Sequence, residues 1–364
     1  MGEYRENREN PLGFMLIRAD ASATLGAGHV MRCLALAQAW RSERGKIAFV
    51  SACESAAIRE QIVNQGFFLH ELSNSQGEEN APAFLWETLG PERSESSISP
   101  WVCLDGYHFD ASYQRAFKEK GFRILVIDDT GHLPCYFADI LLNQNLYAET
   151  LSYSCSPNTT LLLGSRYALI REEFLRWKDR ERPISDKARN VLVTVGGGDS
   201  PGVLAKIVAA IRRIQLSGLD VVVIAGSSAE HLEAQVDSRA GEKHRFQFLT
   251  STKTMPQLMA WADVAISAGG STCWELAYMG LPSLVGVLAE NQLGIAQALG
   301  ERGMALNLGW FHEVDEIEIA SALVEIMSDV EKRKEMSLKG REAIDGLGAK
   351  RVCDEITAKD ENGE

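Results

Sequence analysis

At 364 residues, with 45% hydrophobic and 24% charged side chains, the chain can build two domains of moderate size with buried cores and is not disordered. A formal net charge of −13 excludes a global field that would gather nucleic acid or an anionic membrane, so an anionic ligand must be held by local backbone donors or single basic residues. The seven cysteines stand singly with no CxxC pair, which predicts reduced, mostly buried thiols in a cytoplasmic protein.

Residues 1–12 are polar and are expected to form a flexible extension rather than a signal peptide, and no apolar run in the sequence reaches membrane-spanning length. From Phe14 the pattern alternates between strand and helix. Met15 to Ile17 is an apolar run entering a small-residue loop, Ala19 to Gly28, and residues 29–44 place Val30, Cys33, Leu34, Ala37 and Trp40 at helical spacing. Lys46 to Val50 reads as a strand and Ala56 to Gln65 as a short helix ended by Gly66. Residues 73–99 are polar, read as loop with one helix around Ala83 to Leu89. Trp101 to Leu104 is a strand running into Asp105, Gly106 and Tyr107; 110–120 is a helix; Arg123 to Ile127 is a strand ending in Asp128 and Asp129. Ile140 to Asn145 and Thr160 to Leu163 are the last strands of this half. The charged stretch 171–189, with Pro183, is the expected linker.

A second alternation begins at Val191. Val191 to Val195, Asp220 to Ala225, Phe246 to Leu249, Val264 to Ser267 and Ser283 to Val287 read as strands. Pro201 to Ile214, Met255 to Ala262, Ser271 to Met279, a segment after Gln292, 314–328 and 330–345 read as helices, and the tail from Gly348 is expected to fray. Short apolar strands alternating with helices imply parallel sheets covered on both faces. The expectation is α/β: two doubly wound, Rossmann-like domains, 13–182 and 188–346, facing a central cleft, followed by a tail at 347–364.

Ligands in open parallel sheets sit beyond the carboxyl ends of the strands, where every glycine-rich loop of this chain falls. Gly26, Ala27 and Gly28 allow close backbone approach to a bound group, and His29 follows in the first helical turn, whose dipole disfavours an imidazolium and so favours a general base. The loop alone is equally compatible with a tight turn capped by its histidine. Gly196, Gly197 and Gly198 precede Asp199 without the Lys and Ser/Thr of a P-loop, which argues against ATP hydrolysis. Gly269 and Gly270 lead into Ser271 and Thr272 at a helix start suited to phosphate, and Glu275 follows Ser271 by four residues, where a carboxylate can accept both ribose hydroxyls. A capping-box acid would need a spacing of three. Glu290, Asn291 and Gln292 head a further helix. Asp105, Tyr107, Asp128 and Asp129 end strands on the same side, each more readily structural than catalytic when taken alone. His70, His108, His132, His231, His244 and His312 have no metal-like spacing and are expected on the surface or in loops. With no HExxH and no zinc signature, neither a metal nor a cofactor is expected.

In order, RADASATLGAGHVMRCLALA, LVIDD, LLNQNLY, LLLGSRYALIREEF, TVGGGD and SAGGSTCWELAYMGLP resemble the nucleotide-sugar hydrolases of pseudaminic acid biosynthesis, from about Met15 to Gly346. The second half also resembles the UDP-GlcNAc transferase that completes lipid II. The resemblance implies a GT-B fold and a reaction in which water replaces UDP in UDP-2,4-diacetamido-2,4,6-trideoxy-β-L-altropyranose. It implies His29 as general base, Gly28 beside it, Gly270, Ser271 and Thr272 on the diphosphate, and Glu275 on the ribose. Gly197 and Gly198 would approach the phosphates, the backbone from Thr252 to Met255 would read uracil, and Tyr107, Asn291 and Gln292 would touch sugar or diphosphate. The partner expected is the UDP-sugar alone, with no nucleic acid, for a monomer or weak oligomer. Two rivals remain: a glycosyltransferase, which calls for an acceptor groove or a basic amphipathic helix, and a non-catalytic nucleotide-sugar-binding subunit, which could dispense with the loop histidine.

Overall fold

Along the first strand Met15, Ile17 and Ala19 face a cluster built on Val30, Leu34 and Trp40, while Leu16 faces a second cluster built on Phe109, Tyr113 and Phe117. Burial on both faces is what makes such strands read as continuous apolar runs. The computed structural model describes residues 13–22, 25–72, 99–196, 201–216, 218–237 and 243–362.

The N-terminal domain runs β1 (Phe14–Ala19), α1 (Gly28–Ser42), β2 (Lys46–Ser51), α2 (Ala56–Asn64), β3 (Phe68–Glu71), β4 (Trp101–Asp105), α3 (Ala111–Glu119), β5 (Arg123–Ile127), β6 (Ile140–Asn143) and β7 (Thr160–Leu163). Its described strands form a seven-stranded sheet in the order β3-β2-β1-β4-β5-β6-β7, with every pairing parallel. A short helix, α4 (Glu172–Leu175), lies in the crossover to the second domain.

That domain runs β8 (Asn190–Thr194), α5 (Pro201–Arg213), β9 (Asp220–Ile224), α6 (Ala229–Asp237), β10 (Arg245–Leu249), α7 (Met255–Trp261), β11 (Val264–Ala268), α8 (Thr272–Tyr278), β12 (Ser283–Val287), α9 (Leu293–Glu301), β13 (Leu306–Trp310), α10 (Glu316–Ser328) and α11 (Val330–Ala343). Its described strands form a six-stranded sheet, β10-β9-β8-β11-β12-β13, again parallel throughout. The two doubly wound domains are as expected from the sequence. Strand order reverses between β1 and β4 in one sheet and between β8 and β11 in the other, and the loops leaving these four strands border the crevices in which such sheets bind ligands.

Four expectations differ from the structure. The tail does not fray: α12 (Gly348–Asn362) returns to the N-terminal domain and buries Val352, Cys353 and Ile356 against α1. Gly348 is pressed so close to the chain at Tyr167 and Ala168 that a Cβ would lie 2.2 Å from the Ala168 carbonyl oxygen. The stretch 171–189 is not a free linker, because Arg171 and Phe174 are buried and Arg182 donates to the carbonyls of Met259 and Ala262. β3, α6 and β13 were not read from the sequence. His244, expected on the surface or in a loop, lies in the loop before β10 but is buried there. The extension 1–12, the helix around 83–89, and Gly197 and Gly198 lie outside the described residues. The thiols fit their expectation: all seven are free and Cys33, Cys53, Cys103, Cys273 and Cys353 are buried.

Candidate functional site

Position 29 is the second residue of α1, and its ring turns down onto the end of β4 rather than capping its own helix. His29 Nδ1 lies 2.6 Å from Asp105 Oδ1. Asp105, the last residue of β4, has no solvent exposure, and His29 retains 9%. Arg32, one helical turn on from His29, forks onto the same carboxylate through Nε and Nη2, each at 2.7 Å. Burial works to raise the Asp105 carboxyl, but the Arg32 guanidinium and the His29 ring outweigh it and hold it well below the usual carboxylate range. An ionised Asp105 only accepts, so the proton on His29 belongs to Nδ1 and the Nε2 lone pair is left over. Arg32 Nη2 is also 3.3 Å from His29 Nδ1, and with that assignment the contact joins two donors.

The guanidinium is shared. Arg32 Nη1 donates to both oxygens of Asp129, at 2.9 and 2.8 Å, where Asn145 Nδ2 (2.7 Å) and the Tyr107 hydroxyl (3.1 Å) also donate. The buried cluster thus gathers Asp105 and Asp129 around the one guanidinium of Arg32. Burial, with Asp129 behind it, pushes the Tyr107 phenol far above its ordinary value, so it stays a donor. Its ring meets His29 edge to face at 5.2 Å. Two further histidines border this region: His108 pairs with Asp20 at 3.0 Å and His132 with Asp128 at 2.8 Å.

Across the cleft, a Cβ built on Gly28 would lie 3.6 Å from Ser271 Oγ, so the N-terminal turn of α1 faces the Gly269–Thr272 turn after β11 directly. Around Gly270 the space is open, whereas a Cβ on Gly269 would lie 2.7 Å from the Gln292 carbonyl oxygen. Glycine at 269 is what lets the loop after β12 close onto this turn. Within that loop the Gln292 side chain accepts from Leu288 N at 2.9 Å, and Asn291 Nδ2 reaches over to donate to the Tyr107 hydroxyl at 3.2 Å. Glu275 is buried in the first turn of α8, its Oε1 taking Arg171 Nε at 2.8 Å. Burial pushes its carboxyl up and Arg171 opposes the rise.

Of the residues singled out from sequence, Gly28, His29, Tyr107, Ser271 and Asn291 meet at the cleft, with Gly270, Thr272 and Gln292 on the same turn or the loop against it. Met255 heads α7, its side chain packed with the C-terminal core. Asp105 and Asp129, read as structural, are the direct partners of His29 and Arg32. Arg32, Asn145 and Arg171 were missed. Arg32 carried a signal in its helical spacing from His29; the other two lie far along the chain from the groups they hold.

Residues 190–352 match the model of the glycosyltransferase family 28 C-terminal domain. Over 348 residues the chain is 25% identical to the spore coat polysaccharide biosynthesis protein SpsG of Bacillus subtilis, covering 92% of this chain and 95% of that one. It is 24% identical over 292 residues to the UDP-2,4-diacetamido-2,4,6-trideoxy-β-L-altropyranose hydrolase of Campylobacter jejuni, covering 79% and 97% respectively. Among solved structures, MurG of Acinetobacter baumannii superposes with a TM-score of 0.67 at 15% identity, over 96% of this chain and all of that one, a likeness of fold.

Proposed function

We propose that the chain is a nucleotide-sugar hydrolase in which water replaces UDP at the anomeric carbon of UDP-2,4-diacetamido-2,4,6-trideoxy-β-L-altropyranose. The observation that carries this reading is the His29–Asp105 pair on one wall of the cleft, next in the chain to Gly28, which stands against Ser271 on the other. The activity in the name of the Campylobacter jejuni relative supports the choice of substrate. In this reading the water oxygen attacks the face of the sugar opposite UDP, and its proton passes to His29 Nε2. The bond from the anomeric carbon to the phosphate oxygen breaks, its electron pair leaves with UDP, and the configuration inverts. Asp105 keeps the ring in the useful tautomer and lies against the imidazolium that forms, the role a buried carboxylate takes beside a catalytic histidine.

UDP is a good leaving group, so no general acid with a raised pKa is needed. Backbone N–H groups at Ser271 and Thr272, with the hydroxyls of both residues and the open space at Gly270 beside them, spread the charge developing on the diphosphate. Glu275 accepts the ribose hydroxyls, and the backbone from Thr252 to Met255 reads uracil. Tyr107, Asn291 and Gln292 take the sugar or the diphosphate. The test is His29→Asn. UDP affinity should hold while turnover, followed as UDP release and as the anomer formed by NMR, falls by about 10²–10⁴-fold. Wild-type turnover in the variant overturns the assignment.

A second reading is a glycosyltransferase, favoured by the family 28 match at residues 190–352. That match covers the half assigned here to the nucleotide, which does not choose between water and another acceptor. Release of free sugar with no acceptor present separates the two.

A further inference from the structure

We propose that Arg171 is a positioning residue that fixes Glu275 for a ribose and so makes the site select ribonucleotides over 2′-deoxyribonucleotides. The proposal rests on Glu275 being the ribose acceptor and adds what holds it. Arg171 comes from the crossover between the domains, not from the nucleotide half, and both side chains of the pair are almost closed to solvent, each residue 9% exposed. Its Nε donates to Glu275 Oε1 at 2.8 Å and its Nη1 to Glu173 Oε1 at 2.7 Å, while the guanidinium carbon lies 5.0 Å from the Phe174 ring centroid. The segment is anchored in turn to α1, where Gln38 Oε1 accepts the Glu172 N–H at 2.7 Å. The arginine is thus held on three sides before any ligand arrives.

Two consequences follow for Glu275. With Oε1 occupied by Arg171, its other oxygen, Oε2, has no hydrogen-bond partner among the described residues. Burial also drives the Glu275 carboxyl towards its neutral form, and Arg171 is the largest opposing influence. A neutral carboxyl would bring its own O–H to ribose hydroxyls that need acceptors, whereas the ionised one accepts from both. Hydrogen bonds to a charged group are the strong ones, and a ligand lacking one of the hydroxyls forfeits on the order of tenfold in affinity.

The experiment is calorimetric titration of UDP and 2′-deoxy-UDP into wild type, Arg171→Gln and Arg171→Lys, with melting curves as a check on folding. Wild type should prefer UDP by about tenfold or more. Arg171→Gln should weaken UDP by about that factor, change 2′-deoxy-UDP by no more than about twofold, and so abolish the preference; Arg171→Lys should restore part of it. If Arg171→Gln weakens both nucleotides equally, the arginine is merely structural and the proposal falls. If Arg171→Gln does not fold, Arg171→Lys decides: a smaller preference than wild type supports the proposal and an unchanged one overturns it. A wild type that binds UDP without discriminating against the deoxy form overturns the ribose reading of Glu275 itself, and the proposal with it.

Discussion

A carboxylate with no solvent contact is tolerable only when its charge is met, and Asp105 is met by the Arg32 fork and by His29. Because its folded pKa lies below the unfolded carboxylate value of about 3.9, Asp105 contributes stability that is complete above that value and is lost as pH falls through and below it. Wild-type melting temperature should therefore drop steeply between about pH 5 and pH 2. Asp105→Asn should start lower and fall less over the same range; parallel slopes would remove Asp105 from the acid response. At neutral pH the same variant should bind UDP but lose turnover by about 10²–10⁴-fold, because an amide does not hold the histidine in the useful tautomer.

The element that departs most from its sequence reading is α12. Ala349, Val352, Cys353 and Ile356 follow the spacing of a buried helical stripe, and all four enter the cluster under α1. The helix that presents His29 is therefore clamped by the far end of the described chain. Ile356 is fully buried, so Ile356→Ala should cost about 2–5 kcal/mol in denaturant unfolding, where a frayed tail would give within about 0.5. A value near zero would mean that α12 does not support α1. The edge strands β3 and β13 escaped the sequence reading for a different reason. No residue of either is buried, and Phe68, at 58% exposure, shows that an edge strand need not bury its apolar residues.

On the scale of the molecule, the two domains touch at several points around the site. Asn291 reaches Tyr107, Arg302 donates to the Leu146 carbonyl at 3.0 Å, and the backbone of Gly294 approaches Tyr147 so closely that a Cβ would lie 2.8 Å from its ring. Tyr107 in turn donates to Asp129, which shares Arg32 with Asp105. A bond across the cleft is thus continuous with the cluster behind His29. The cycle Tyr107→Phe, Asn291→Ala and the double variant, read as kcat/KM for UDP release, should give a coupling energy of about 1 kcal/mol. Additive effects would show that the two residues act independently.

The amino-acid sequence by itself determined the two α/β halves, because the apolar runs of parallel strands and the helical stripes between them are local patterns. It also marked His29, the Gly269–Thr272 turn and Glu275, since glycine-rich strand ends and helix starts are legible in a few consecutive residues. The partners of those residues were decided only in three dimensions. Asp105 lies 76 positions from His29, and Arg171 lies 104 from Glu275. A charge is recognisable in a sequence, but whether it is exposed, paired or set behind a catalytic ring depends on which strand ends the fold brings together.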